Sequence, residues 1–411
     1  MSSIVNEEPK RKKIKSSLDS EPATPVVVKE ETADEWPFEN VYEDFCFDLL
    51  DPNWPVRHGA TLGLCVILKT QNKHINAKNM EDLLIRLLCL LCLDRFGDYV
   101  SDQVVAPVRE SCGQTLGALF LHLDEETARK AIASLCNMCG NQTWEVRHAG
   151  LIGLTYCMAV RDELVNQVLP TSFPLLLQGL KDSDDDVRCV SAECLIPITS
   201  KLVPFLKSKK FLSEFLVTLW GSLSALDDLS VSTVHVLSLL EKMLSFDLVI
   251  QALSGESMKI CDYLALLFPF AKHSNQGVRA SVLSTLLCLQ SNKSLVIFGE
   301  RLDLLNDLLK LILEIFLIED VGNIIELAQK LFDELLSSIH IKASLVQTGL
   351  WQKCISWMSI VSRPLDVRDF GDGISALDVR VYGEHTVMYG RICCCIALGK
   401  LMAHIEDEQV G

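Results

Sequence analysis

At 411 residues the chain is longer than one compact domain and implies several domains or a repeat array. An apolar fraction of 49% with only 7% aromatics favours leucine-rich helices, yet no apolar run reaches the roughly 18 residues of a membrane span. The net charge of −16 argues against a general nucleic-acid sleeve, which needs basic surface to displace counterions, and favours basic protein partners or simply solubility.

Residues 1–35 differ from all that follow. They hold the basic run Lys10, Arg11, Lys12, Lys13 and Lys15, then Ser, Pro, Thr and Glu. So little apolar surface predicts a disordered tail, and the basic run has the form of a nuclear localisation signal. Sixteen cysteines, mostly in apolar stretches with no secretory signal before them, agree with reduced thiols in the cytosol or nucleus.

From Trp36 the pattern is helical and repetitive. Trp54-Pro55-Val56-Arg57-His58-Gly59 returns as Trp144-Glu145-Val146-Arg147-His148-Ala149. The Val-Arg pair recurs at Val108-Arg109, Val187-Arg188 and Val278-Arg279, with Val231-Ser232 as a degenerate copy. Successive Val positions are 52, 38, 41, 44 and 47 residues apart, close to the 40–47 of HEAT units, and the first interval leaves room for an enlarged loop. Eight residues after each Val stands a Leu: Leu64, Leu116, Leu154, Leu195, Leu239 and Leu286. Seven after it stands a small side chain: Gly63, Thr115, Gly153, Cys194, Ser238 and Thr285. These spacings share one helical face, so Val and Leu fill the core while the small residue admits a neighbouring helix. The position four after Val is small at Ala60, Cys112, Gly150 and Ser191 but not at His235 or Val282. Asn53, Thr143, Asp184, Asp228 and Asn275, each three residues before the Val, are expected helix caps.

The expected fold is therefore all-α: a HEAT/armadillo-like solenoid of stacked antiparallel helix pairs, with signature repeats over residues 36–300. A repeated Arg at the start of each second helix is expected to pair with an acidic group of the next unit and so set the stacking register. Over residues 301–411 the signal weakens into degenerate HEAT-like helices. Residues 302–337 read as two amphipathic helices, 362–385 as a loop, and Val387 to His404 as one more helix. Because no polar capping repeat follows, the array reads as truncated.

No chemistry-bearing constellation emerges. Cys89 with Cys92 and Cys136 with Cys139 have zinc-pair spacing, but their apolar surroundings make them core residues. Asp369-Phe370-Gly371 lacks every companion motif of a kinase, and no Gly-x-x-x-x-Gly-Lys-Ser/Thr phosphate loop occurs. His58 and His148 occupy equivalent repeat positions, as packing residues do. We expect no catalytic residue, no cofactor and no metal. The acidic turns before second helices carry Asp94, Asp98, Asp102, Asp184, Asp185, Asp186, Asp227 and Asp228. Some cap helices; stacked, the rest form an acidic ridge for a basic partner. Phe96 and Tyr99, in the long first interval, are candidate apolar anchors.

The runs Asp51 to Ala60, Leu93 to Glu110, Trp144 to Gly150, Asp184 to Arg188 and Leu226 to Leu229 resemble, in order, the amino-terminal HEAT region of the TATA-binding-protein-associated Swi/Snf-family ATPases. The likeness is clearest from Trp36 to Leu289. It implies a nuclear, transcription-regulatory scaffold that grips the convex face of the TATA-binding protein, alone or as its DNA complex. Basic helices on that face match the acidic ridge. The family's ATPase, which removes the TATA-binding protein from DNA, has no counterpart in these residues. The competing reading is a generic HEAT adaptor or transport-type scaffold for another basic protein, without membrane or direct nucleic-acid binding.

Overall fold

The computed structural model describes residues 36–100, 103–224, 232–253, 260–291, 298, 301–358 and 391–404. The basic run at 10–15, the expected loop at 362–385, Asp102, Asp227 and Asp228 lie outside them. The helices run α1 Glu39–Asp48, α2 Trp54–Gln71, α3 Ala77–Leu93, α4 Pro107–Phe120, α5 Glu125–Cys139, α6 Trp144–Val160, α7 Asp162–Gly179 and α8 Asp185–Leu195. They continue as α9 Thr199–Ser208, α10 Leu212–Ser224, α11 Ser232–Leu244, α12 Asp247–Leu253, α13 Ile260–Leu264, α14 Gln276–Ser291, α15 Leu302–Ile318 and α16 Gly322–Ser337. Two shorter helices, Ile339–Thr348 and Leu350–Met358, follow, and residues 391–404 are helical.

The second helix of each unit stacks on the next in the order α2, α4, α6, α8, α11, α14, α16, and the first helices cover that layer from one side. The core sits between the layers. All six repeat leucines (Leu64, Leu116, Leu154, Leu195, Leu239 and Leu286) have no exposure at all. The small positions have the expected cause. A Cβ built on Gly63 would lie 2.4 Å from Cε2 of Phe45 in α1, and one on Gly150 would lie 2.9 Å from the carbonyl oxygen of Leu135 in α5. At Gly150 the obstacle is backbone, which cannot swing aside as a side chain can.

The register continues past residue 300. Ile324 in α16 stands 46 residues after Val278, with buried Ala328 four residues on and buried Phe332 eight on. Ile325 replaces the arginine there, and Leu331 the small residue.

Two local expectations change. The long first interval holds an antiparallel hairpin, β1 Asp98–Val100 with β2 Gln103–Val105, pairing Asp98 with Val105 and Val100 with Gln103. The turn signal also sits two residues earlier than expected. Asp184 does cap α8, accepting from the amides of Asp186 and Val187, and Asn275 accepts the amide of Gly277 at the start of α14 at 2.7 Å, but the side chains of Asn53 and Thr143 cap nothing. Instead Asp51, Asn141 and Asp182 accept the amides of Asn53, Thr143 and Asp184 at 2.7, 2.9 and 3.0 Å. Each such bond closes the turn between the two helices of a unit. No single described helix is long and apolar enough to cross a membrane.

Candidate partner-binding region

The repeated arginine does two jobs from one guanidinium. Arg57 Nη1 donates to the carbonyl oxygens of Asp51 and Pro52, Arg147 Nη1 to those of Asn141 and Gln142, and Arg279 Nη1 to those of His273 and Ser274. These bonds satisfy the turn of the arginine's own unit. The rest of the fork reaches the next unit: Arg57 Nη2 to Asp94 at 2.6 Å, Arg147 to both oxygens of Asp182 at 2.7 Å, and Arg279 to Glu319 at 2.8 and 2.9 Å. The planar guanidinium suits this double duty, which the ammonium point charge of lysine does not. The expected ladder thus holds at these three boundaries. At the boundary of α8 and α11 Arg188 turns back to Asp185 and the Asp182 carbonyl oxygen, both in its own unit.

Arg109 departs from the pattern in a different way. Its side chain has no exposure. It donates to the carbonyl oxygen of Phe96 at 3.2 Å, contacts Nδ1 of His148 at 2.9 Å, and lies 5.4 Å from the Trp144 ring centroid. Asp94 stands 3.8 Å away while bonding Arg57. Phe96 in turn stacks on Trp54, centroids 4.3 Å apart and planes 12° apart. The residues Trp54, Arg57, Asp94, Phe96, Arg109, Trp144 and His148 therefore join the first three units and fix the base of the β1–β2 hairpin. With the cation at 2.9 Å, His148 is held neutral: burial, then Arg109, lowers its pKa to about 3.

This geometry revises the acidic ridge. Asp94 is only 3% exposed, so it is a buried counter-ion of two arginines rather than a charge offered to a partner. Phe96 is half-buried against Trp54 and anchors the hairpin from within. Asp184, Asp185 and Asp186 are all half-buried: Asp184 caps, Asp185 bonds Arg188, and Asp186 lines a cleft. Asp98 and Tyr99 lie on β1, the strand that this network supports. Sequence reasoning could not tell which acids would fold inward onto an arginine, as Asp94 does.

The cleft, about 280 Å³, lies beside the hairpin and is lined by Val105, Pro107, Glu110, Asp186, Glu193 and His235 among others. The two cysteine pairs of zinc-like spacing were expected to be core residues. Cys89 is exposed on α3, contrary to its expected burial, while Cys136 and Cys139 are buried on α5. Their thiols are pushed up by burial, Cys136 to about 11, which leaves them inert. Among the described residues, the one set of three potential ligands drawn together is Cys189, Glu193 and His235.

The HEAT repeat family matches residues 173–202, the second part of α7 with α8. The human TATA-binding protein-associated factor 172 is 37% identical over 349 residues, 81% of this chain and 18% of that protein. TATA-binding protein-associated factor MOT1 of Saccharomyces cerevisiae is 36% identical over 291 residues, 63% of this chain and 15% of that one. The chain thus spans less than a fifth of the length of these relatives. A crystal structure of the Mot1 N-terminal domain in complex with TBP superposes with a TM-score of 0.63 over 92% of this chain and 45% of that one, at 22% identity. Kap121p bound to Pho4p gives 0.59 over 91% of this chain and 34% of that one, at 12% identity, a likeness of fold. Through its HEAT-repeat array, homologous over four-fifths of its length, the chain belongs to the family of TATA-binding protein-associated factors.

Proposed function

We propose that this chain is a transcription-regulatory scaffold that binds the TATA-binding protein through its HEAT array. The observation that carries the reading is the 37% identity over 349 residues to a protein named for that association. The Mot1 N-terminal domain, similar in fold, was crystallised with TBP. The hairpin region supports it locally. A buried ion-pair network at the base of a hairpin holds its strands in place before binding, which lowers the ordering cost of binding. Asp98, Tyr99 and Asp102 are the proposed contacts, with Asp227 and Asp228 as further acidic candidates. The chain binds without hydrolysing nucleotide. An adaptor solenoid for another basic protein shares the fold and nothing more specific. Titration calorimetry of the chain with purified TATA-binding protein tests the choice: a saturable one-to-one heat is expected, and its absence removes the reading.

The relatives' association with a transcription factor, together with the run Lys10 to Lys13, supports nuclear placement. Replacing those four residues with alanine in a fluorescent fusion should move it out of the nucleus; unchanged nuclear accumulation would refute the signal.

A further inference from the structure

Three side chains from two repeat units converge at the cleft beside the hairpin. Cys189 and Glu193 stand four residues apart on α8, one above the other on the same face. His235 approaches from α11, with Nδ1 3.1 Å from the Glu193 carboxylate. The sulfur, the carboxylate oxygen and the ring nitrogen all lie within 4.8 Å of one another. We propose that Cys189, Glu193 and His235 form a zinc site that ties the fourth repeat unit to the fifth.

Four features carry this. First, the ligand types suit zinc, which takes thiolate, imidazole and carboxylate together, whereas calcium and magnesium take oxygen alone. Second, the spacing suits it. With bonds of about 2.0–2.1 Å, nitrogen and oxygen ligands of a tetrahedral zinc stand about 3.3 Å apart. The Glu193–His235 pair already has nearly that separation, so an ion replaces the proton between them with small movement. Third, the cleft provides both a fourth position open to water and a negative field. Glu110 and Asp186 join Glu193 in its lining, and no lysine or arginine does. That negative field favours a divalent cation, whose binding to the thiolate expels the thiol proton to solvent. Fourth, the site lies where the arginine ladder is interrupted. Among the described residues Arg188 bonds within its own unit, and the next copy of the signature has Ser232 in place of arginine. The Ser232 amide donates to Asp185 across that boundary at 3.4 Å. His235 itself fills a repeat position that is Ala60, Cys112, Gly150 and Ser191 in the preceding units, so its presence there is not a demand of the register.

Cobalt(II) tests the site because it gives intense visible bands in tetrahedral coordination and a near-ultraviolet thiolate band only when sulfur ligates. The 411-residue chain, stripped with chelator under reducing conditions, should take up one equivalent of cobalt with both signals, and zinc should displace it. Cys189→Ser should abolish the near-ultraviolet band. His235→Ala should weaken zinc binding at least about 100-fold, beyond the ~10–100-fold seen when only a residue that orients a ligand is lost. Zinc should also raise the melting temperature of the wild type and not of the variants. If Cys189→Ser does not fold, Glu193→Gln and His235→Ala, at half-buried positions, answer the same question. No cobalt bands in the wild type, or bands and affinity retained in His235→Ala and Glu193→Gln, would overturn the proposal. Neither result depends on whether the chain binds the TATA-binding protein.

Discussion

Asp94→Ala is expected to destabilise the first three repeat units by about 3–5 kcal/mol, the usual cost of removing one partner from a buried ion pair. The carboxylate has no side-chain exposure; one oxygen lies 2.6 Å from Arg57 and the other 3.8 Å from Arg109. Without it, the fully buried Arg109 guanidinium keeps, among the described residues, the Phe96 carbonyl, the His148 ring and the face of Trp144. Burial already pulls the Arg109 pKa down, and Asp94 is the largest of the charges that oppose this. The stranded cation, more than the lost attraction, makes the substitution severe. Urea unfolding followed by circular dichroism measures the loss, and hydrogen exchange should place it in α2, α4 and α6. Asp94→Asn, which keeps the shape and one acceptor, should lose less. A loss below 1 kcal/mol with unchanged exchange would mean that the network is not holding these units together.

The second large effect is a pH dependence set by His148. Its pKa is about 6.5 in the unfolded chain and falls to about 3 in the fold through burial and the adjacent Arg109. Below pH 6.5 the unfolded chain therefore takes up a proton that the native state refuses. Stability is unaffected by this group above pH 6.5 and falls as pH drops from there toward 3, by about 1.4 kcal/mol per unit at most. The whole interval amounts to roughly 4–5 kcal/mol. His148→Gln keeps an acceptor for Arg109 and cannot titrate. The difference between wild-type and variant unfolding free energies should change by more than 1 kcal/mol between pH 7 and pH 5.5. Parallel curves over that range would show that His148 is not buried beside the arginine. The comparison isolates this group from the carboxylates, which titrate lower.

The parts of the fold that repeat were readable from the sequence, because each Val, small residue and Leu answers the same packing demand in every unit. The arginine ladder was readable for the same reason: a cation repeated at the start of each second helix needs a repeated partner, and Asp94, Asp182 and Glu319 supply it. The seventh unit was hidden because Ile324-Ile325 replaces Val-Arg and Leu331 replaces the small residue. Its core demand is met by other apolar side chains, so only the three-dimensional stacking of α14 on α16 displays it. Asp94 shows why the acidic residues resisted assignment. At a turn it looks like any solvated acid, and its two arginines stand 37 and 15 residues away. The hairpin was likewise concealed in what the spacing marked only as an enlarged loop. Cys189, Glu193 and His235 had one signal that sequence alone offers, a histidine at a position that is small in the four preceding units, and it points nowhere until α11 is laid against α8.

On the proposed function, the buried network matters because a hairpin held at its base binds a partner at little entropic cost. The most direct measurement is the affinity of the chain for purified TATA-binding protein at low and at high salt, with a Tyr99→Ala/Asp98→Lys variant alongside. The account predicts a saturable one-to-one complex, weaker at high salt, with the variant weaker at both and less sensitive to salt. No saturable binding at either salt, or a variant indistinguishable from the wild type, would contradict it.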